Sequence, residues 1–362
     1  MKFLFFSLAL ITQINLFAQK EMALKHNVAL VYPDKLPEKR NELVAFYDSF
    51  IRAILDGSDI NELTIIHRSG LKEKLLKLFP SSKVKLIESN SVQDIWIRDF
   101  APIYINQERV FKALYNPSYF QEDDKKTQYA DEEKTIFYYA SLDEKAGVEL
   151  AKELQINVTN LTCNNQRIIL DGGNFIHNGN GIAVTTNRII ADNESLSIEE
   201  IRKTFKDQLE ISKLIIVPVE PGDETGHVDG MIRFIDEKTV VVAKYPDNYK
   251  NGPNNITEKD YLIGKQFLDQ LADSLNLKFT VIRIENSIPK NSGENEFPSA
   301  FGNYINYLRI GDKIFLPQYG NIEMDKSAKM TYEKYFKVIP IKTGIEKLAS
   351  LGGVLNCITW NY

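Results

Sequence analysis

Between its helix-patterned segments this chain carries two or three short apolar runs instead of one, and that rhythm limits its fold more than any other feature. The spacing predicts a helix over 35–57, where Leu43, Phe46, Tyr47, Phe50, Ile51 and Ile54 fall on one face ahead of Gly57. Further helices are predicted over 71–79, stopped by Pro80, and over 143–154, 197–209, 257–275 and 325–335. The apolar runs predict strands at 63–66, 84–87, 168–170, 182–185, 214–219, 239–243, 279–284, 304–308, 314–316 and 338–341. A doubly wound sheet would set a single strand between helices. The fold class read from this pattern is α/β, built of small mixed sheets that each keep a helix. No exact repeat is visible, and no linker rich in Pro, Gly or Ser divides the chain. Two irregular stretches, acidic 116–133 and Asn- and Pro-rich 245–255, are loops of a length that either covers a site or runs through solvent.

The 362 residues, 43% of them hydrophobic, suffice for a sizeable core. A net charge of -5, with both signs interspersed, leaves no basic stripe for nucleic acid and suits a small cationic substrate. Residues 1–18 read as an export signal: Lys2, an apolar core over 3–11, then Asn15-Leu16-Phe17-Ala18 before Gln19. A single mature domain over 19–362 is therefore expected, periplasmic or secreted. An uncleaved anchor is the alternative, but Thr12, Gln13 and Asn15 break the run, which falls short of the roughly 20 apolar residues of a span. No later stretch could span a bilayer, so no membrane contact is expected once the signal is removed. Export also permits a disulfide between Cys163 and Cys357, although two cysteines make no disulfide framework.

Cys357 lies in the final segment, 356–362, behind Gly352-Gly353, where backbone can pass close to a ligand. A buried cysteine is commonly just a small hydrophobe. Its company upstream points instead to a nucleophile. His227 and Asp229 stand two apart at what reads as the start of a strand, so both would face one way. They are a proton shuttle beside a carboxylate, or a pair satisfying each other. Asp99 falls in 94–102, read as a strand turning at Pro102; Trp96 is an aromatic wall for a planar cation or a core residue, and Arg98-Asp99 a site carboxylate with its neighbour or a surface ion pair. Asp171 precedes Gly172-Gly173, a turn that lets backbone approach. Four scattered histidines without further ligands at metal spacing argue against a metal site. Several carboxylates around a cysteine and a histidine suit one electrophile above others, the guanidinium group, planar and rich in N–H donors.

The segments Trp96-Ile97-Arg98-Asp99-Phe100-Ala101-Pro102, Asp171-Gly172-Gly173-Asn174-Phe175-Ile176, Gly222-Asp223-Glu224-Thr225-Gly226-His227-Val228-Asp229, Pro298-Ser299-Ala300-Phe301-Gly302-Asn303-Tyr304-Ile305-Asn306 and Gly352-Gly353-Val354-Leu355-Asn356-Cys357-Ile358-Thr359 resemble, in order, the motifs of the agmatine deiminase and Porphyromonas-type peptidyl-arginine deiminase family. The resemblance covers nearly the whole mature chain. It implies a pentein fold, ββαβ-type units around a pseudo-fivefold axis with the site at the centre, and no cofactor. It implies Cys357 as nucleophile, His227 as acid and then base, and Asp99 and Asp229 as grips on the guanidinium. Trp96 would stack near the substrate and Asn303 would line the pocket. Asp171 would support the histidine from a position that is usually Glu, so its shorter side chain has further to reach. Two more departures are a segment before His227 one residue shorter than usual and Asn356 where a His normally precedes the Cys.

For the substrate, the resemblance implies that peptidyl enzymes hold a far carboxylate with arginines, whereas 110–166 contains none. Lys112, Lys125 or Lys126 could substitute as point charges. Glu122, Asp123 and Asp124 suit the free amine of agmatine instead. Agmatine leads, with an arginine-containing peptide or another guanidino compound second, and a binding module without turnover as the reading of another class.

Overall fold

The computed structural model describes residues 26–37, 40–106, 109–121, 136–247, 258–286 and 300–362. The segment read as an export signal, the cleavage point before Gln19, Lys125, Lys126, Glu122, Asp123, Asp124, Pro298 and Ser299 lie outside the described residues, as does most of 116–133 and 245–255.

The chain opens with β1 (Asn27–Val31), α1 (Val44–Gly57), β2 (Glu62–His67), α2 (Lys72–Leu78) and β3 (Val84–Glu88). It continues through α3 (Ile97–Phe100), β4 (Ile103–Asn106), β5 (Arg109–Lys112), α4 (Ile136–Glu153) and β6 (Thr159–Asn160), then the hairpin β7 (Thr162–Cys163) and β8 (Gln166–Arg167). Next come β9 (Ile176–His177), β10 (Ile182–Thr186), α5 (Arg188–Asp192), α6 (Ile198–Leu209) and β11 (Lys213–Val217). After them run β12 (Ile232–Phe234), β13 (Thr239–Lys244), α7 (Glu258–Asn276) and β14 (Thr280–Glu285). The last elements are β15 (Leu308–Ile310), β16 (Lys313–Pro317), α8 (Ile322–Tyr332), β17 (Lys337–Ile341), α9 (Ile345–Ala349) and β18 (Trp360–Asn361).

The pairing turns this series into one repeated unit. In β4-β5-β6, β9-β10-β11, β12-β13-β14 and β15-β16-β17 the first two strands are antiparallel and the third joins the second in parallel after a helical crossover. This is ββαβ, as parallel pairing demands a long crossover and antiparallel pairing only a turn. The fifth unit is split. Its first strand is β18, antiparallel to β1, and β1 pairs in parallel with β2 after α1, with β3 added at the edge. The two ends of the described chain thus meet in one sheet and close the ring.

The central strands are apolar and buried along most of their length, as strands covered on both faces must be; β13, Val240 to Ala243, is at most 1% exposed. α1 lays Phe46, Tyr47, Phe50, Ile51 and Ile54 on the core, and Phe50 meets Phe315 of β16 edge-on at 6.2 Å between ring centres. No helix among the described residues is long and apolar enough to cross a membrane.

Several local expectations change. The helix predicted from 35 begins at Val44, after a 3-10 turn at Arg40–Leu43, because Pro37 precedes it and Lys35 holds a φ of 66°. The helix predicted from 143 starts at Ile136, and that predicted over 325–335 spans Ile322–Tyr332. Of 168–170 only a bridge from Leu114 to Ile169 is strand-like, and Tyr304 to Tyr307 is turn ahead of β15. Strands β1, β4 to β9 and β18 lie outside the predicted strands. Cys163 and Cys357 are both free, Cys163 in a second apolar cluster with Leu161, Ile168 and Phe205, so the disulfide does not form.

Candidate active site

Each site residue stands in the short segment that leads into the first strand of a unit. Asp99 precedes β4, Asp171 precedes β9, His227 and Asp229 precede β12, Asn303 and Asn306 precede β15, and Cys357 precedes β18. A turn of helix or 3-10 helix occupies the first three of these segments, at Ile97–Phe100, Gly172–Asn174 and Val228–Gly230. The strands predicted at Asp99 and at His227 are therefore corrected to helical turns. Short apolar segments favour either state, and here the turn lets side chains two apart serve different neighbours. His227 reaches Asp99 and Asp171, while Asp229 reaches Asn356 and Cys357.

The histidine is held from two sides. Its Nε2 lies 3.0 Å from Asp171 Oδ2, and its Nδ1 lies 3.7 Å from Asp99 Oδ1. The shorter aspartate therefore spans the gap. Asp99 Oδ1 also accepts the Gly173 N–H at 3.0 Å, and a Cβ on Gly173 would fall 2.6 Å from His227 Nδ1 and 2.7 Å from Asp99 Oδ1. Only glycine fits between them. The short segment before His227 also positions it, since Asp223 Oδ2 accepts the His227 N–H at 3.2 Å.

The thiol sits in a second cluster. Cys357 Sγ is 3.8 Å from Asp229 Oδ2 and accepts from Asn306 Nδ2 at 3.2 Å. Asn306 Oδ1 accepts the N–H groups of Asn356 and Cys357 at 3.0 and 3.3 Å, and Asn356 Nδ2 donates to Asp229 Oδ2 at 2.6 Å. Asn356 thus orients a carboxylate beside the sulfur, a role absent from the sequence reading, as was that of Asn306. Asn303, expected to line the pocket, donates its Nδ2 to Gly230 O at 2.8 Å and accepts at Oδ1 from Ile305 and Asn306 N–H, so it braces the Asp229 turn against the Asn306 turn.

Trp96 lies against the segment that carries Gly353 and Cys357. A Cβ on Gly353 would stand 2.5 Å from Trp96 Cζ3 and 3.1 Å from Cys357 Cβ. Beneath this contact Arg98 donates its backbone N–H to Cys357 O at 3.1 Å and its Nε to Asn356 O at 3.2 Å. It is not a partner in a surface ion pair.

Charge is strained here in a definite direction. Asp99 is 9% exposed, and burial pushes its carboxyl up to about 7, with His227 pulling it back and Asp171 and Asp229 adding to the rise. For His227 burial acts downward as the largest single cause, but Asp99, Asp171 and Asp229 together outweigh it and raise the imidazole to about 10. Burial, then Asp229 and Asp99, push the Cys357 thiol well above its ordinary range. These shifts favour a protonated imidazole and a thiol that keeps its proton, set among Asp99, Asp171 and Asp229 with the buried Arg98 guanidinium beside them. Among the described residues no group of three or more His, Cys, Asp or Glu is arranged to hold a metal ion.

Five ββαβ units in a closed ring define the pentein class. Residues 17–362 match the family model of the Porphyromonas-type peptidyl-arginine deiminases, and the chain belongs to that family. A Streptococcus mutans protein provisionally named agmatine deiminase is 29% identical over 217 residues, covering 53% of this chain and 56% of that protein. The chain spans about half the length of the curated relatives it matches. Among solved structures, the agmatine deiminase of C. jejuni superposes with a TM-score of 0.69 at 18% identity, and that of Enterococcus faecalis with 0.71 at 16%, each match covering 93% of both chains.

Proposed function

We propose that this protein hydrolyses a guanidino substrate through a covalent adduct on Cys357, with agmatine, converted to N-carbamoylputrescine and ammonia, as the leading substrate. The observation that carries the reading is the meeting of Cys357, His227, Asp99 and Asp229 from three separate units in one buried site, where Asp99, Asp171 and Asp229 gather around the thiol and the imidazole. A guanidinium is the planar cation that such carboxylates can pair with. Paired between Asp99 and Asp229, it offsets the field that holds the thiol proton on, and Cys357 releases that proton to solvent as the cation arrives. The thiolate attacks the guanidinium carbon. His227, protonated in the unliganded site, gives its proton to the departing amine, and ammonia leaves behind a thiouronium. The neutral imidazole then takes a proton from water, which attacks the same carbon; collapse expels the thiolate and releases the ureido product. No step requires a metal or organic cofactor.

Two features favour the amine over a substrate carrying a carboxylate. Lys112, a candidate for holding a carboxylate, is 2% exposed and spent on Glu144 and on Ala113 O. The S. mutans relative and the C. jejuni and E. faecalis proteins all bear the name agmatine deiminase, and a cysteine-to-serine variant of the C. jejuni enzyme is described with substrate bound. An arginine-containing peptide remains the second reading, supported by the family name and by the export signal read in 1–18, from which we infer a periplasmic or secreted enzyme formed by one domain over 19–362.

The test is ammonia and ureido release from agmatine, free arginine and a peptide ending in arginine, under reducing conditions, beside Cys357→Ala. Turnover of agmatine that vanishes in the variant is expected. Turnover of the peptide alone would replace the substrate, and none from a folded, reduced protein would replace enzyme with binding module.

A further inference from the structure

Tyr119 stands in the 3-10 turn Ser118–Gln121, at the start of the irregular stretch 116–133. Its hydroxyl donates to Asp171 Oδ2 at 2.7 Å, the same oxygen that His227 Nε2 approaches at 3.0 Å. The tyrosine ring meets the imidazole edge-on, 6.3 Å between centres. Asp171 Oδ1 is buried and has no hydrogen-bond partner among the described residues, so the alignment that these residues give the carboxylate rests on one oxygen with two donors.

Tyr119 is itself fixed. The Arg188 guanidinium lies 5.5 Å from the centre of its ring, Arg188 Nη1 donates to Ser118 Oγ at 3.4 Å, and Nη2 donates to Glu224 O at 2.6 Å. Ser118 N–H is held by Asp192 Oδ1 at 2.9 Å. Arg188 therefore fastens the turn carrying Tyr119 to the segment that leads into His227.

We propose that Tyr119, clamped by Arg188, is a positioning residue for the proton transfers of His227: its hydroxyl fixes the Asp171 oxygen that orients the imidazole, and it touches no reacting atom. This rests on the deiminase reading above. The hydroxyl also shares the negative charge of Asp171, so removing it leaves the carboxylate a stronger acceptor for the imidazolium proton. The other groups bearing on His227 are Asp99, Asp229 and, at its backbone, Asp223; those bearing on Tyr119 are Asp171, Tyr115 and Asp99, with Arg188 over its ring.

The experiment compares wild type, Tyr119→Phe and Tyr119→Leu. Phe keeps the ring under Arg188 and loses only the hydroxyl. Expected for Tyr119→Phe are an unchanged melting temperature, kcat for agmatine lower by about tenfold at unchanged KM, and an upward move of the His227 ring titration, followed by NMR among the four histidines of the substrate-free protein. Phe behaving as wild type in both rate and titration, with only Leu impaired, would reduce Tyr119 to packing and overturn the proposal. The NMR titration does not depend on turnover. A wild type without deiminase activity whose His227 titration still moves on Tyr119→Phe would sink the function and keep the coupling.

Discussion

Asp99 is the residue at which function and stability oppose each other. A carboxylate that grips a cation in the proposed reaction is buried in the protein on its own, and its proton is held up to about 7 against an unperturbed 3.8. Because the folded state binds that proton more tightly, the group favours folding fully below about pH 4, and the advantage is lost as pH rises through 7. Asn carries no charge at either end of that range. Asp99→Asn should therefore melt higher than wild type by a margin that widens between pH 5 and pH 8, by about 2 °C or more, while turnover is lost. A margin that stays constant or narrows would mean Asp99 is not a strained carboxylate. At this scale the sequence was informative where chemistry is carried by rare residue types: Cys357, His227, Asp99, Asp229 and Asp171 all converge. Asn306, Asn356 and Tyr119 were assigned no such role because they act on partners 51, 127 and 52 residues away, through contacts that leave no local pattern.

Among elements, the informative units are the segments between modules. The helices and central strands were legible because each buries a face with a regular period, as α1 does with Phe46, Phe50 and Ile54. The segments at Trp96–Asp99 and His227–Asp229 were misread as strands because three or four residues carry no resolvable period. Their conformation is set from outside, by contacts such as Gly353 against Trp96. Gly353→Ala should push the nucleophile segment off that indole and displace Cys357 relative to Asp99. A misplacement on the order of 1 Å costs about 100-fold in rate, so kcat is expected to fall by that order with the sheet and helix content retained by circular dichroism. Near-normal kcat would show that Trp96 yields without moving the thiol.

For the molecule as a whole, the fivefold architecture is implied by resemblance, while the rhythm of strands and helices points to small mixed sheets that each keep a helix and leaves their number and closure open. The closing strand escaped prediction since β18 is two residues long, its partner β1 lies at the other end of the described chain, and its register with Val28 and Ala29 is a tertiary fact. Trp360 is 1% exposed, donates Nε1 to Pro102 O at 2.7 Å and stacks on Tyr362 at 5.0 Å, so it pins that closure. Trp360→Ala should cost about 3–5 kcal/mol and abolish turnover together with the cooperative melt at its normal temperature. A variant that melts as wild type would show that the ring does not depend on this strand.

The split unit also orders events in time. Every other group of the site is synthesised before Cys357, yet β1, made first among the described strands, has its antiparallel neighbour only after Cys357 has been made. Contacts of such long sequence separation form late and slowly. On the proposed reading the thiol is therefore the last group to join the carboxylates, and a chain interrupted anywhere upstream of it lacks both β18 and Cys357: making the strand that pairs with β1 and arming the site are one event.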